Sequence, residues 1–270
     1  MRILMLLALL MTFAPNAVHA ERANVLRLAT TTSTENSGLL EYLLPAFEAR
    51  EGYQVHVIAV GTGAALRMGR EGDVDVLLVH APEAELKFIE KGYGVRRVSV
   101  MHNDFIFVGP ERGSEQVVTA KNLAKALGRI ADSPAGFVSR GDDSGTHKKE
   151  LSLWKVAGLI PEGEWYRESG QGMGKVLQIA GELDAFTLVD RGTWLALQGQ
   201  SSLRLVFEGD KALFNPYSII ELNPQRFTDL NHRGANALID WIISAEAQTM
   251  IGEFKIKDER LFTPDARPAS

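Results

Sequence analysis

The chain has 270 residues, with 29 Lys and Arg against 34 Asp and Glu, no cysteine, and 45% hydrophobic residues. That length can bury a large core, in one domain or in two lobes. A net charge of −5 argues against a nucleic-acid partner, which calls for a basic face, and the lack of cysteine excludes disulfides, thiolate metal sites and thiol catalysis. An acidic balance does not exclude an anionic ligand, because a closed cleft is governed by its local donors.

The first twenty residues read as a secretory signal peptide. Arg2 supplies the positive start, residues 3–13 are apolar apart from Thr12, and Val18-His19-Ala20 puts small residues where a signal peptidase cuts. The apolar run is shorter than the ~20 residues a bilayer-crossing helix needs, and no Cys follows it to carry a lipid anchor. Cleavage after Ala20 and export to the periplasm are expected. The mature chain then has 250 residues, 28 basic and 34 acidic.

Residues 25–29 read as a strand. Residues 37–50 read as a helix with Leu40, Leu43, Leu44 and Phe47 on one face, kinked at Pro45. Residues 54–60 alternate as a strand, and 64–70 form a helix ended by Gly72. Residues 74–79 are apolar throughout, as in a buried parallel strand. Residues 82–90 form a helix, with Pro82 in its first turn and Gly92 just past its end. This alternation implies a parallel sheet with helices on its faces.

Residues 104–108 (DFIFV) form a strand that stops at Gly109-Pro110, and a second alternation follows. It comprises a helix capped by Thr119 and reaching Gly128, a strand at 136–139, and a helix at 144–157 with Leu151 and Trp154 on one face. Then come a helix at 172–181, strands at 185–189 and 203–207, and a helix at 191–197 between them. Residues 217–222 (YSIIEL) form a strand after Asn215-Pro216. Helices at 232–244 and 245–254 and a polar tail rich in Pro and Arg complete the chain. The fold class is α/β with two lobes, each a mostly parallel sheet flanked by helices. DFIFV and YSIIEL are read as the two crossings. Lobe one comprises residues 21–105 plus 217–270, and lobe two 106–216; a single doubly wound domain is the alternative.

Two hydroxyl-rich loops stand at strand ends, where open α/β sheets bind ligands. Thr30-Thr31-Thr32-Ser33-Thr34 follows the first strand. Ser37 or Asn36 alone suffices to cap the next helix, so Thr31, Thr32 and Ser33 are candidates for ligand contact. The second loop is Arg140-Gly141-Asp142-Asp143-Ser144-Gly145-Thr146. Arg140 can grip two oxygens at once, Ser144 and Thr146 flank a helix start, and Gly141 and Gly145 permit close approach of the backbone. These are the parts of a small-oxyanion site. Arg140 is the one cleft charge the sequence identifies, with Asp142 or Asp143 as its holder.

Other motifs are weaker. Gly61-Thr62-Gly63 has Leu66 where a dinucleotide fingerprint needs its third glycine; it is a tight turn or a further contact through Thr62 and Gly63. The spacing Gly141 to Gly145 does not make a P-loop. Gly170-Gln171-Gly172-Met173-Gly174 precedes a helix, and the N–H groups near Gly172 are candidates to complete the site. Asp190-Arg191-Gly192-Thr193 reads as a structural cap, and Arg67, Arg70, Arg96 and Arg97 as solvated. A serine nucleophile at Ser144 with His147 is a poor alternative: Asp142, Asp143, Ser144 and His147 sit too close in sequence to line up as a triad, and no Gly-x-Ser-x-Gly elbow surrounds the serine. The histidines His56, His80, His102, His147 and His232 are scattered without metal spacing. No cofactor and no metal are expected.

The stretches ATTTSTENSGLL (29–40), SRGDDSGTHKKE (139–150), GQGMGKVLQIA (170–180) and FTLVDRGTW (186–194) resemble the tungstate-binding periplasmic components of ABC transporters. The resemblance spans most of the mature chain. It implies a type II periplasmic binding fold, two α/β lobes joined by two hinge strands, and delivery of the ligand to a membrane permease without covalent chemistry. It also implies that tungstate, and with it molybdate, is held by Thr31, Thr32, Ser33, Arg140 and Thr146. The chemistry of the loops extends this set to Ser144 and Gly172. The pattern Arg140, Asp142, Ser144, Gly145, Thr146 also resembles the phosphate-binding periplasmic proteins. Phosphate at neutral pH carries a proton and needs a carboxylate acceptor. Tungstate is deprotonated, wants donors only, and is repelled by an unpaired buried carboxylate. Asp142 therefore separates the two ligands: tungstate is expected if it pairs with Arg140 and faces away, phosphate if it faces the cleft.

Overall fold

The computed structural model describes residues 24–266. The expected signal segment and its cleavage point lie outside the described residues.

Strand β1 (Val25–Thr31) lies between parallel strands β2 (Gln54–Val60) and β3 (Val76–Val79). In this register Thr31 stands opposite Val60, and Thr30 stands opposite Leu78. The carboxyl ends of all three strands therefore share one edge, and the segments starting at Thr32, Gly61 and His80 leave it side by side. Helix α1 (Thr32–Asn36) and helix α2 (Leu39–Glu51) follow β1; α3 (Thr62–Glu71) follows β2; α4 (Pro82–Glu90) follows β3. The apolar stripe of α2, Leu39, Leu40, Leu43 and Phe47, is buried in the main core with Leu26 and Leu28. The helix continues through Pro45 to Glu51.

Strand β4 (Gly94–Gly109) joins the halves of the molecule. Its first part pairs antiparallel with β9 (Phe214–Leu222), which in turn pairs antiparallel with β3. Its last residues, Phe105 to Gly109, pair with β7 (Thr187–Asp190) and β8 (Arg204–Phe207). Strands β4 and β9 lie side by side where the two sheets meet, with Asn103 opposite Asn215 and Asp104 opposite Phe214. The second half also contains α5 (Glu115–Val118), α6 (Leu123–Ala131), β5 (Phe137–Ser139), α7 (Gly145–Val156), β6 (Tyr166–Glu168), α8 (Met173–Glu182) and α9 (Arg191–Leu197). Here β5 pairs parallel with β6, and its Phe137 bridges Phe186 in parallel. Helices α10 (His232–Ile242) and α11 (Ala245–Glu253) return to the first half. A separate aromatic core, including Phe105, Phe107, Phe137, Trp154 and Phe186, fills the second half.

Several local expectations change. The hydroxyl cluster does not merely precede a helix; residues 32–36 form one, and Gly38 at φ 78° starts the next. Strand β4 begins ten residues earlier than the DFIFV run, because Arg96, Arg97 and His102 mask its alternation. Asn122, not Thr119, caps the helix of residues 123–131, its side chain accepting from Lys125 N–H. On α7 the buried face is His147, Glu150, Leu153 and Trp154, whereas Leu151 is exposed. Arg97 is not solvated: its Nε donates to the fully buried Glu85 at 2.7 Å. The C-terminal tail adds the short strand β10 (Thr263–Pro264) to the edge of β4, and Leu261 and Phe262 just before it are buried.

Asp75 ties the first sheet to the returning helices. Its carboxylate accepts from the Arg27 side chain at 2.8 and 3.0 Å, from Arg27 N–H at 2.7 Å and from Asn231 N–H at 2.9 Å. Burial pushes its pKa up, but these bonds outweigh burial and hold it below the ordinary value. A depressed carboxylate contributes stability that is fully present above the unfolded value of about 3.9 and is lost as pH falls through the folded value. Asp75→Asn is therefore expected to lower stability by about 2–3 kcal/mol at pH 7 and to flatten the acid limb of a urea-unfolding series run from pH 5 downward.

Candidate functional site

The first loop is built by hydroxyl capping. Thr31 Oγ1 accepts from Thr34 N–H at 3.3 Å and so starts α1. The same oxygen lies 2.7 Å from Thr34 Oγ1, 3.1 Å from Ser33 Oγ and 3.0 Å from His80 Nε2. Thr31 is 4% exposed, whereas Thr32 and Ser33 are exposed. Thr31 thus caps α1, whereas α2 starts at Gly38 and its Leu39 N–H donates to Ser37 Oγ at 3.2 Å; the outward hydroxyls of the cluster are Thr32 and Ser33. Thr30 is turned inward, donating to the Leu78 carbonyl at 2.8 Å.

The second loop is held from three sides. The Arg140 carbonyl accepts from Gly170 N–H at 2.8 Å, and the Ser139 carbonyl from Ser169 N–H at 3.0 Å. This stitches the Arg140 loop to the segment that leads to Gly172. Gly141 has φ 61°, and a Cβ there would lie 2.6 Å from Cβ of Glu168, so the close packing of the two segments requires glycine. Behind the loop, the Glu150 carboxylate, 1% exposed, accepts from Ser139 Oγ at 2.8 Å, from the Tyr166 hydroxyl at 2.7 Å and from Trp154 Nε1 at 3.3 Å. Burial pushes its pKa up.

Arg140 and Asp142 form a partly buried pair. Asp142 Oδ2 accepts from Arg140 Nε at 3.1 Å and from its Nη2, while Oδ1 accepts from Ser144 N–H at 3.2 Å. Burial alone would raise the Asp142 carboxyl, but the bonds from Ser144 and Arg140 outweigh it and hold it below the ordinary range.

The serine-nucleophile arrangement is absent. Ser144 Oγ accepts from His147 N–H at 3.3 Å, capping α7. His147 Nδ1 accepts from Asp143 N–H at 3.1 Å, and its Nε2 faces Glu168 at 3.5 Å. No ring nitrogen is aimed at the serine oxygen.

Three further helix starts open onto free space. A Cβ added at Gly61 or Gly63 before and in α3, at Gly145 of α7, or at Gly172 before α8 would meet nothing within 4 Å. Neither Gly61 nor Gly172 supplies a side-chain cap, so N–H groups of those first turns remain available as donors. Thr62 is the first residue of α3.

Neighbouring residues of the crossing strand β9 connect the two loops. His80, which follows β3, bonds Asn215 through Nδ1 at 3.0 Å, and Lys149 of α7 donates to the Phe214 carbonyl at 2.9 Å. Sequence reading passed over both. His80 is one of the histidines scattered without metal spacing, and no motif in the sequence singles out Lys149. Lys149 is a second cation beside the crossing, its pKa lowered by burial. On the far side, Asp190 caps α9 through Thr193 N–H at 2.9 Å, as expected, and Arg191 grips Asp104 of β4 at 2.5 and 2.7 Å. Among the described residues, no group of three or more Cys, His, Asp or Glu stands where it would hold a metal ion.

Two α/β halves sharing two adjacent crossing strands, with hydroxyl-rich loops at their strand ends, define a type II periplasmic binding fold. Residues 17–246 match the PBP superfamily domain. The tungstate-binding protein TupA of Peptoclostridium acidaminophilum is 47% identical over 243 residues, covering 88% of this chain and 85% of its own. The structure of the tungstate binding protein TupA from Desulfovibrio alaskensis G20 superposes with a TM-score of 0.85 at 45% identity, covering 90% of this chain and 99% of that one. That of the tungstate ABC transporter from Geobacter sulfurreducens gives a TM-score of 0.77 at 49% identity, over 85% and 98%. The chain belongs to the TupA family of type II periplasmic binding proteins.

Proposed function

We propose that this protein is the exported solute-binding component of an ABC transporter, capturing tungstate in the cleft between two lobes and delivering it to the membrane permease. In this reading the signal peptide is removed after Ala20. Lobe one comprises residues 21–105 plus 217–270, lobe two 106–216, and β4 and β9 are the hinge. Thr32 and Ser33 donate from lobe one, together with Thr62 and the backbone at Gly63. Arg140, Ser144, Gly145, Thr146 and the N–H groups after Gly172 donate from lobe two. Thr31 acts from behind, holding the first loop in shape. Binding needs no covalent chemistry; charge-assisted hydrogen bonds in a water-poor cleft supply the affinity.

The observation that carries tungstate over phosphate is the engagement of Asp142 by Arg140 and Ser144 N–H. It turns the carboxylate, the acceptor that a protonated anion would need, toward protein donors. The test is a thermal-shift panel with tungstate, molybdate, phosphate and sulfate. A ligand at a hundred times its Kd stabilises the native state by about 2.7 kcal/mol. Tungstate is expected to raise the Tm most and phosphate not at all at equal concentration; a phosphate shift equal to that of tungstate would replace this reading by the phosphate one.

A further inference from the structure

His80 stands between the first loop and the crossing strands, and its hydrogen bonds assign its protons. Asn215 Nδ2 donates to Asn103 Oδ1 at 2.8 Å and to the Tyr217 hydroxyl at 3.2 Å. The amide oxygen therefore faces His80 Nδ1, 3.0 Å away, and must accept from it. Nδ1 carries a proton. Burial, the largest influence on the ring, favours its neutral form against the bond from Asn215 and the negative charge of Asp190. Nε2 is then a single lone pair, with Thr31 Oγ1 at 3.0 Å and Ser33 Oγ at 3.3 Å as its two hydroxyl neighbours; Ser33 also meets the Tyr217 hydroxyl, whose oxygen accepts from Asn215 Nδ2. One lone pair takes one proton.

The neighbouring hydroxyls decide which proton it takes. Thr34 is fully buried and meets Thr31 Oγ1 at 2.7 Å. A buried hydroxyl proton without an acceptor costs about 1–3 kcal/mol, so Thr34 donates to Thr31 and Thr31 donates onward to Nε2. The relay runs Thr34, Thr31, His80, Asn215. It ends on both crossing strands, because Asn215 of β9 stands opposite Asn103 of β4. The rings of His80 and Tyr217, 4.6 Å apart, hold it laterally.

We propose that His80 is a positioning residue of the anion site: its Nε2 takes the Thr31 proton, which leaves the exposed Ser33 hydroxyl to donate into the cleft, and its Nδ1–H ties that arrangement to both crossing strands through Asn215. The inference rests on the tungstate-binding reading. It adds that the polarity of the first loop is set from behind: the ring fixes Ser33 as a donor, which suits an oxyanion without protons.

The test has two parts. In ligand-free wild-type protein labelled with 15N-histidine, His80 is expected to show a protonated Nδ1 and an unprotonated Nε2. In tungstate titrations, His80→Ala is expected to weaken binding about tenfold, the equivalent of one lost hydrogen bond. His80→Gln, whose amide oxygen reaches the place of Nε2, is expected to stay within about threefold of wild type. A ring protonated at Nε2, an alanine variant that binds as tightly as wild type, or a glutamine variant as weak as alanine would each overturn the proposal. A wild-type protein that binds none of the four oxyanions would instead overturn the functional reading, while the tautomer assignment stands or falls on the ligand-free spectrum.

Discussion

Arg140→Ala is expected to weaken tungstate binding by about a hundredfold. A hydrogen bond to a charged group contributes about 1.5–3 kcal/mol, and the guanidinium can present two N–H groups to a pair of oxygens. Losing about 3 kcal/mol is a factor of about a hundred in Kd. A second effect adds to the first. Asp142 now pairs with Arg140; without the arginine its carboxylate stands uncompensated beside a dianion. The double variant Arg140→Ala with Asp142→Asn should therefore bind more tightly than Arg140→Ala alone. Titration calorimetry reads both, and an Arg140→Ala protein with wild-type affinity would show that the second loop does not hold the anion.

Glu150→Ala is expected to be the most destabilising single change near the site, by about 3 kcal/mol. It strips the shared acceptor from Ser139, Tyr166 and Trp154, three donors in a buried environment. Urea unfolding should show a lower midpoint with an unchanged slope. The pH dependence is opposite in sign to that of Asp75. Because burial raises the Glu150 pKa, the native state holds more protons than the unfolded chain between about 4.3 and the raised value. Its contribution to stability therefore declines as pH rises through that window, and Glu150→Gln should remove this decline. A stability profile identical in wild type and Glu150→Gln would contradict the assignment.

The alternation of strands and helices was legible because each element has one apolar face. Residues 54–60, 82–90 and 191–197 fall where the periodicity puts them. Strand β4 was half hidden. A strand that pairs on both edges and crosses between halves places Arg96, Arg97 and His102 at positions where side-chain partners, not the sheet pattern, satisfy them. Within the site, the two hydroxyl loops stood out because serines and threonines there outnumber what capping needs. Their division of labour did not: which threonine caps and which faces out depends on the three-dimensional neighbours of Thr31. His80 and Lys149 were invisible for the same reason. Nothing local in Val-His-Ala or His-Lys-Lys signals a bond to Asn215 or Phe214, more than sixty residues away. Asp142 is the instructive intermediate case. Its importance could be argued from the chemistry of the rival ligands, but its direction required the fold.

The most direct measurement is a calorimetric titration of the wild-type mature chain with tungstate in the presence of a large excess of phosphate. One tungstate per chain, bound with an affinity that phosphate leaves unchanged, is the predicted result. Displacement of tungstate by phosphate, or no tungstate binding at all, would contradict a cleft of donors in which Asp142 is held by Arg140.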